Sequence, residues 1–394
     1  MFARLTLMKK HLPSIGLLLV LLIAIAWSIY SLQFLDQGIF WDLGIYEKAV
    51  GVFNSGGNPY ELNGYLSFVY HPLVLRFMAL FGNYLAIALM GAYLAILLFF
   101  VSSLGSNRSW WLYSFLAFAY CGIGTISIGS GNVTAFFHLV LLGLLLRNIA
   151  NGNALEGAPS KLTAVFIVTV VIFSLVKPYM LAYLLIPLAS TWKTSKQKSI
   201  WSLVFMAAGL LAATLLISSL YFGAEFQSFL SAVQGQTIGK RDLGYGLVMY
   251  FYEHYLSAGS LIYRAFVLHF AILGAVILTT LFLAKRSGLL NSARFTLLLY
   301  FLLTILNPRL KVYDLFPALI ALFIFASPLK QGLIAKWLFV IAYAISLSQL
   351  VGTPLFVHTG ILSDPLNVYY LTMGLVFIGL LPSFLSKPGY SLKK

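Results

Sequence analysis

The carboxylates and cations of this chain fall at a few points between long apolar runs, and its chemistry must sit there. Asp42 opens the stretch W-D-L-G-I-Y-E-K-A-V-G-V-F-N-S-G-G-N-P-Y from Trp41 to Tyr60. Together with Asp36, Glu61 and Tyr60 it makes an acidic cluster next to a hydrophobic span. A carboxylate in that setting can act as a general base on an alcohol. It can equally cap the helix that follows, because Asp favours that position. Asp36 is the fallback base, or else a solvated loop charge. The cations are Lys177 in V-K-P-Y, and Arg309 and Lys311 in N-P-R-L-K-V-Y-D. Lys and Arg donors stabilise charge developing on a phosphoryl oxygen, so these residues could clamp a phosphate. The plainer alternatives are an ion pair for Lys177 and lipid headgroups for Arg309 and Lys311. Tyr313 and Asp314 adjoin the clamp, or serve as an interfacial anchor and a helix N-cap.

Other polar residues carry weaker signals. His71, ahead of Pro72, could cap a short helix or touch substrate. Asn132 in G-S-G-N-V could satisfy backbone at a helix start or face the site. Lys240 and Arg241 lie in a Gly- and Gln-rich loop that could fold over a ligand or remain solvated, and His254 follows them. His138 and His269 lie inside apolar runs, where neighbouring helices are expected to satisfy them. No His/Glu spacing marks a metal site, no Gly-rich loop marks a nucleotide site, and no cofactor is expected.

The elements that position these residues follow from composition. The 394 residues are 61% hydrophobic and 9% charged, against roughly a quarter charged in soluble domains. The chain therefore reads as an all-α polytopic membrane protein, one integral membrane domain over 1–394. A net charge of +15 raises nucleic acid as a partner, but the basic residues punctuate spans and form no dense patch. The single Cys121 excludes an intrachain disulfide and reads as a core residue.

Apolar runs of about twenty residues predict about 12 spans. They cover roughly 12–32, 84–104, 110–126, 132–147, a pair of short helices in 162–190 meeting at Lys177, 200–222, 259–284, 295–306, 314–327, 334–350 and 368–386. Residues 12–32 resemble a signal peptide, but no small-residue cleavage signal follows, so they read as a retained first helix. One continuous helix over 162–190 would strand Lys177 in the bilayer, at roughly 2.5–3.5 kcal/mol. Arg4, Lys9 and Lys10 place the N-terminus in the cytoplasm, and most of the 25 basic residues then fall inside. All ten acidic residues except Glu156 fall outside. The first outer loop, 33–83, should hold interfacial helices. One carries Asp42, Tyr46, Ala49 and Phe53 on a single stripe and ends at the Gly56–Pro59 turn; a second covers 71–82. The second large outer loop is 223–257.

These residues resemble the membrane-embedded GT-C glycosyltransferases, most closely glycosyltransferase family 87. The likeness is carried by D-L-G-I-Y-E-K-A (Asp42 to Ala49), G-G-N-P-Y (Gly56 to Tyr60) and F-V-Y-H-P-L (Phe68 to Leu73). It continues in G-S-G-N-V (Gly129 to Val133), V-K-P-Y (Val176 to Tyr179) and N-P-R-L-K-V-Y-D (Asn307 to Asp314). The family pattern has Pro at the place of His71 and Gln at the place of Ser130. The resemblance implies a GT-C fold and a polyprenyl-phosphate-linked hexose donor, with mannose as the hexose. It implies a lipid or glycan acceptor and an extracytoplasmic site in a cell membrane, with both termini cytoplasmic. Asp42 would match the catalytic Asp of the first outer loop. Tyr46, Asn58, Tyr60, Tyr70, His71, Asn132, Lys177, Arg309, Lys311, Tyr313 and Asp314 would line the substrate. An acceptor oxygen deprotonated by Asp42 would attack the anomeric carbon opposite the phosphate, giving inversion. A transporter or lipid flippase is the rival class, since such proteins also break helices around polar groups.

Overall fold

The computed structural model describes residues 2–61, 68–151, 161–191, 197–238, 262–286, 292–307, 310–327, 332–350 and 374. Among these residues the chain is helical throughout, with no strand. Five helical stretches are long and apolar enough to cross a membrane: Gly82–Leu104, Arg108–Gly129, Val133–Ala150, Gln197–Tyr221 and Tyr263–Arg286. Six shorter apolar helices accompany them among the described residues. These are the marks of a helical membrane protein, and the outward Leu210, Leu216, Ile217, Val267, Leu278 and Phe282 fit lipid as the neighbour.

Helix α1 (Phe2–Ser31) leads into a 3-10 turn at Leu32–Gln37. Then come the short α2 (Leu43–Asn54) and α3 (Pro72–Ala79), followed by the long α4 (Leu85–Leu104). Leu43, Tyr46, Ala49 and Val50 form the buried face of α2, so Asp42, Tyr46 and Ala49 of the expected stripe turn inward, while Phe53 at its end is half-buried. The helix ends one residue before the Ser55–Gly56 turn, and Gly56 takes a φ of +79°.

The expected span at 110–126 is a helix in two pieces. α5 (Arg108–Ala119) and α6 (Ile123–Gly129) are separated at Tyr120–Gly122, where Cys121 and Gly122 both take positive φ. α7 (Val133–Ala150) follows. α8 (Lys161–Ser174) then stops short of Lys177, and a 3-10 turn at Pro178–Leu184 leads into α9 (Leu185–Ser190). Proline excludes helical backbone from the residue before it, and Lys177 is extended at φ −137°, ψ 105°. The helix break expected at Lys177 is present.

α10 (Gln197–Tyr221) is followed by α11 (Gly223–Ile238), where the sequence reading expected a loop over 223–257. The helix within this stretch has a simple cause. Phe226, Phe229 and Val233 recur at helical spacing, and that stripe packs on the first inter-span segment. The remaining described helices are α12 (Ile262–Arg286), α13 (Ala293–Ile305), α14 (Val312–Ala326) and α15 (Leu333–Leu350). Apart from residue 374, the expected twelfth span lies outside the described residues, as do the loop before it, Lys240, Arg241, His254 and Arg309.

α14 is the axis of the core. Every residue from Ala318 to Ala326 is buried, as a helix apolar on all sides requires. It packs against α13, α5, α6 and α7. α15 closes on α1, where the Trp27 indole donates to the Ser346 carbonyl at 2.9 Å.

Candidate functional site

Three chain breaks meet around the start of α14. The first is the α6–α7 junction, Gly129–Asn132. The Phe40 amide donates to the Gly129 carbonyl at 2.6 Å, and the Asp42 amide donates to the Ser130 carbonyl at 2.9 Å. These two bonds dock the segment ahead of α2 onto the junction. Gly131 makes the approach possible, since its φ is +65° and a Cβ there would stand 2.7 Å from the Phe40 Cβ. Gly131→Ala should destabilise the protein by about 1–3 kcal/mol from backbone strain alone. It should also displace Asp42 without removing any polar group; thermal unfolding beside the wild type checks the cost.

Asp42 occupies the N-cap position of α2, yet its side chain makes no capping bond. Its Oδ2 instead accepts from Asn132 Nδ2 at 2.7 Å. Asn132 serves two ends, because its Oδ1 accepts the Thr134 amide at 3.0 Å and so caps α7. Asp42 is only 6% exposed, and burial raises its pKa above the ordinary carboxylate range. The Asn132 hydrogen bond and the charges of Lys311 and Lys177 pull the other way. Tyr46 completes this side: its hydroxyl accepts the Val133 amide at 3.3 Å and lies 3.2 Å from the Tyr70 hydroxyl.

The second break presents Lys177. Its Nζ donates to Asp314 Oδ2 at 3.2 Å, and the ammonium lies 5.6 Å and 5.7 Å from the ring centroids of Tyr179 and Tyr313. The third is the start of α14. Lys311 is the N-cap there, and the fully buried Asp314 lies one turn in. This corrects the N-cap alternative for Asp314: its Oδ2 reaches back to the Lys311 amide at 3.2 Å. Ser127 Oγ donates to the Tyr313 carbonyl at 2.8 Å and ties α6 to this helix start. Burial and the neighbouring Lys177 lower the Lys311 pKa to about 8, against the pull of Asp314 and Asp42. Two carboxylates and two ammonium groups thus form one electrostatic unit, joined at a helix N-terminus whose dipole favours anions.

Of the residues expected in the site, this unit gathers Asp42, Tyr46, Tyr70, Asn132, Lys177, Lys311, Tyr313 and Asp314. Asn58, Tyr60 and His71 form a second group at the seam between α3 and α11. The Tyr60 hydroxyl donates to the Tyr70 carbonyl at 2.9 Å, which joins the two groups. Asn58 is spent on structure, with Nδ2 on Glu61 Oε1 at 2.8 Å and on Ser228 Oγ at 3.1 Å. The His71 Nδ1 accepts the Leu73 amide at 3.2 Å, the cap expected of it, and the His71 amide donates to the Leu175 carbonyl at 3.3 Å. The 3-10 backbone holds Asp36, whose side chain lies outside the described set.

Sequence reasoning missed the support beneath the cations. His138 Nε2 lies 2.6 Å from the Tyr179 hydroxyl and 3.7 Å from Asp314 Oδ1. Its Nδ1 faces the hydroxyls of Tyr183 at 3.1 Å and Tyr300 at 3.3 Å. The expectation that neighbouring helices satisfy His138 holds, but the partners brace the aromatic bed of Lys177. An ionisable side chain in an apolar helix was the signal available; nothing in its spacing named the partners. His269 Nε2 likewise finds the Leu306 carbonyl at 2.8 Å. Among the described residues, no three His, Cys, Asp or Glu side chains group to hold a metal ion. Compared with known families and curated proteins, the chain matches no family model and no curated protein.

Proposed function

We propose that this protein is a membrane glycosyltransferase of GT-C type, resembling glycosyltransferase family 87. It moves a hexose, mannose by that resemblance, from a polyprenyl-phosphate donor to a lipid or glycan acceptor. The active site faces the extracytoplasmic side of the cell membrane, both termini are cytoplasmic, and about a dozen spans enclose it. One observation carries the reading: Asp42 leaves its own helix uncapped and points its carboxylate to Asn132, within the electrostatic reach of Lys177 and Lys311.

The chemistry follows from that pairing. Asp42 takes the proton of the acceptor hydroxyl while the hydroxyl oxygen forms a bond to the anomeric carbon from the face opposite the phosphate. The bond from the anomeric carbon to the phosphate oxygen breaks, and its electron pair leaves on the phosphate. The leaving group gains negative charge, which Lys177 and Lys311 stabilise with no general acid required. Configuration inverts. Burial of Asp42 strengthens each of these interactions, because the local dielectric is lower than that of water.

The test is transfer of labelled sugar from a polyprenyl-phosphate hexose to acceptor by the purified protein in lipid nanodiscs. A second reading, a lipid flippase, draws on the two broken helices at Tyr120–Gly122 and Leu175–Lys177, a feature of transporters. Movement of the lipid-linked sugar across the bilayer without transfer would favour that reading.

The pH profile should be bell-shaped. Activity rises as Asp42 loses its proton, along a limb displaced above the ordinary carboxylate range by burial. It falls near pH 8 as Lys311 discharges and releases the phosphate. Asn132→Asp keeps an oxygen to cap α7 but replaces the donor with a like charge. It should move the rising limb further upward, as read from kcat/KM against pH.

A further inference from the structure

Among the described residues, the second nitrogen of His71 has no hydrogen-bond partner. The ring is 1% exposed, and Nδ1 is engaged as the acceptor of the Leu73 amide. Burial lowers its pKa to about 4, so the ring is neutral and Nε2 carries the proton. That N–H is buried and has no hydrogen-bond partner among the described residues. The rings of Phe226 and Phe229 stand edge-to-face with the imidazole at 5.7 Å and 5.5 Å, and an aromatic face is a weak acceptor compared with oxygen. Buried donors are almost always paired, so one left over needs a reason.

The position of His71 supplies one. Tyr70, the preceding residue, bonds to Tyr46 in the Asp42 group, and the His71 backbone bonds to Leu175, two residues before Lys177. The backbone at His71 is therefore tied on one side to the group of the proposed base and on the other to the segment leading to the proposed phosphate clamp, while its ring faces Phe226 and Phe229 at the α3–α11 seam. α11 lies over the ring, fastened by the Arg76–Glu225 ion pair at 2.5 Å and the Asn58–Ser228 hydrogen bond. Tyr60, Phe68 and Tyr70 extend the aromatic wall. A neutral N–H among aromatic faces suits an uncharged hydroxyl on a ring with C–H faces. A phosphate would instead call for a cation, and Arg76 is already paired.

We infer that His71 is a specificity-determining residue whose Nε2–H donates to a hydroxyl of the sugar acceptor, received at the α3–α11 seam. The inference rests on the transferase reading and adds to it the place and chemistry of the acceptor.

Two substitutions separate the cap from the donor. His71→Asn retains a short side-chain oxygen to cap α3 and loses the distal N–H. His71→Gln retains a distal N–H and loses the short cap. The probes are hexyl mannoside and its monodeoxy analogues, used with the protein in nanodiscs. His71→Asn should keep the wild-type melting temperature and donor KM, raise the acceptor KM about tenfold, and lose thermal stabilisation by hexyl mannoside. His71→Gln should melt lower yet keep the acceptor KM close to wild type. One monodeoxy analogue should cost the wild type the same factor and cost His71→Asn nothing, a double-mutant cycle that isolates the contact. A wild-type acceptor KM and ligand stabilisation in His71→Asn would overturn the inference and leave the transferase standing. Absence of transfer by the wild type from any polyprenyl-phosphate hexose would overturn both.

Discussion

Asp42→Asn is expected to reduce sugar transfer by about 10²–10⁴-fold while the protein expresses and melts as the wild type does. The substitution is nearly isosteric, and an amide oxygen still accepts from Asn132, so the docking of residues 40–42 on the α6–α7 junction persists. Folding should not suffer, because the burial that raises the Asp42 pKa also marks its charge as costly to the folded state. What disappears is the lone pair able to take the acceptor proton. Donor binding discriminates this role from simple substrate contact. Removing a negative charge beside Lys177 and Lys311 leaves that cluster with a surplus positive charge, so affinity for the anionic donor should hold or improve. Collapse of turnover with undiminished donor affinity identifies a base. Turnover above about a tenth of wild type would move the base elsewhere, Asp36 first.

The sequence made some of this legible, and the reason it failed elsewhere is physical. Apolar runs located the helices, and proline chemistry placed the break at Lys177, because both are local properties of the chain. α11 was taken for loop because Gly223, Gly235 and its glutamines dilute the hydrophobicity. Its Phe226, Phe229 and Val233 stripe acquires meaning only once the first inter-span segment is there to receive it. The break at Tyr120–Gly122 hid within an apolar run, with Gly122 as its one turn signal. Asp42 and Asn132 were both singled out, but their contact joins residues 90 apart in sequence and follows from tertiary docking. His138 and Asp314 show the same limit more sharply. Each had a satisfactory local explanation, and neither explanation predicts that the His138 ring stands 3.7 Å from Asp314 Oδ1 while Lys177 holds Oδ2.

That buried arrangement sets up the second large effect, at the Lys177–Asp314 pair. Taking away one partner of a buried ion pair typically costs 3–5 kcal/mol, because the charge that remains has lost its compensation. The two halves are not equivalent here: the Asp314 side chain is fully buried, while that of Lys177 is 21% exposed. Asp314→Asn strands an ammonium that can still turn toward water, so its cost should lie at the low end of that range. Lys177→Met strands a carboxylate with no path to solvent, and its cost should lie at the high end. The double variant Lys177→Met/Asp314→Asn removes both charges and, since neutral replacements of a buried pair are often tolerated, should recover most of the lost stability. It should recover none of the activity, because no ammonium remains at that position to meet the leaving phosphate. Thermal unfolding of the three variants in one detergent, beside donor KM and kcat, reads both effects. A double variant as unstable as Lys177→Met would show that the pair is not the source of the loss. A stable double variant with wild-type turnover would remove Lys177 from the clamp and leave Lys311, at the N-cap of α14, as the cation facing the phosphate.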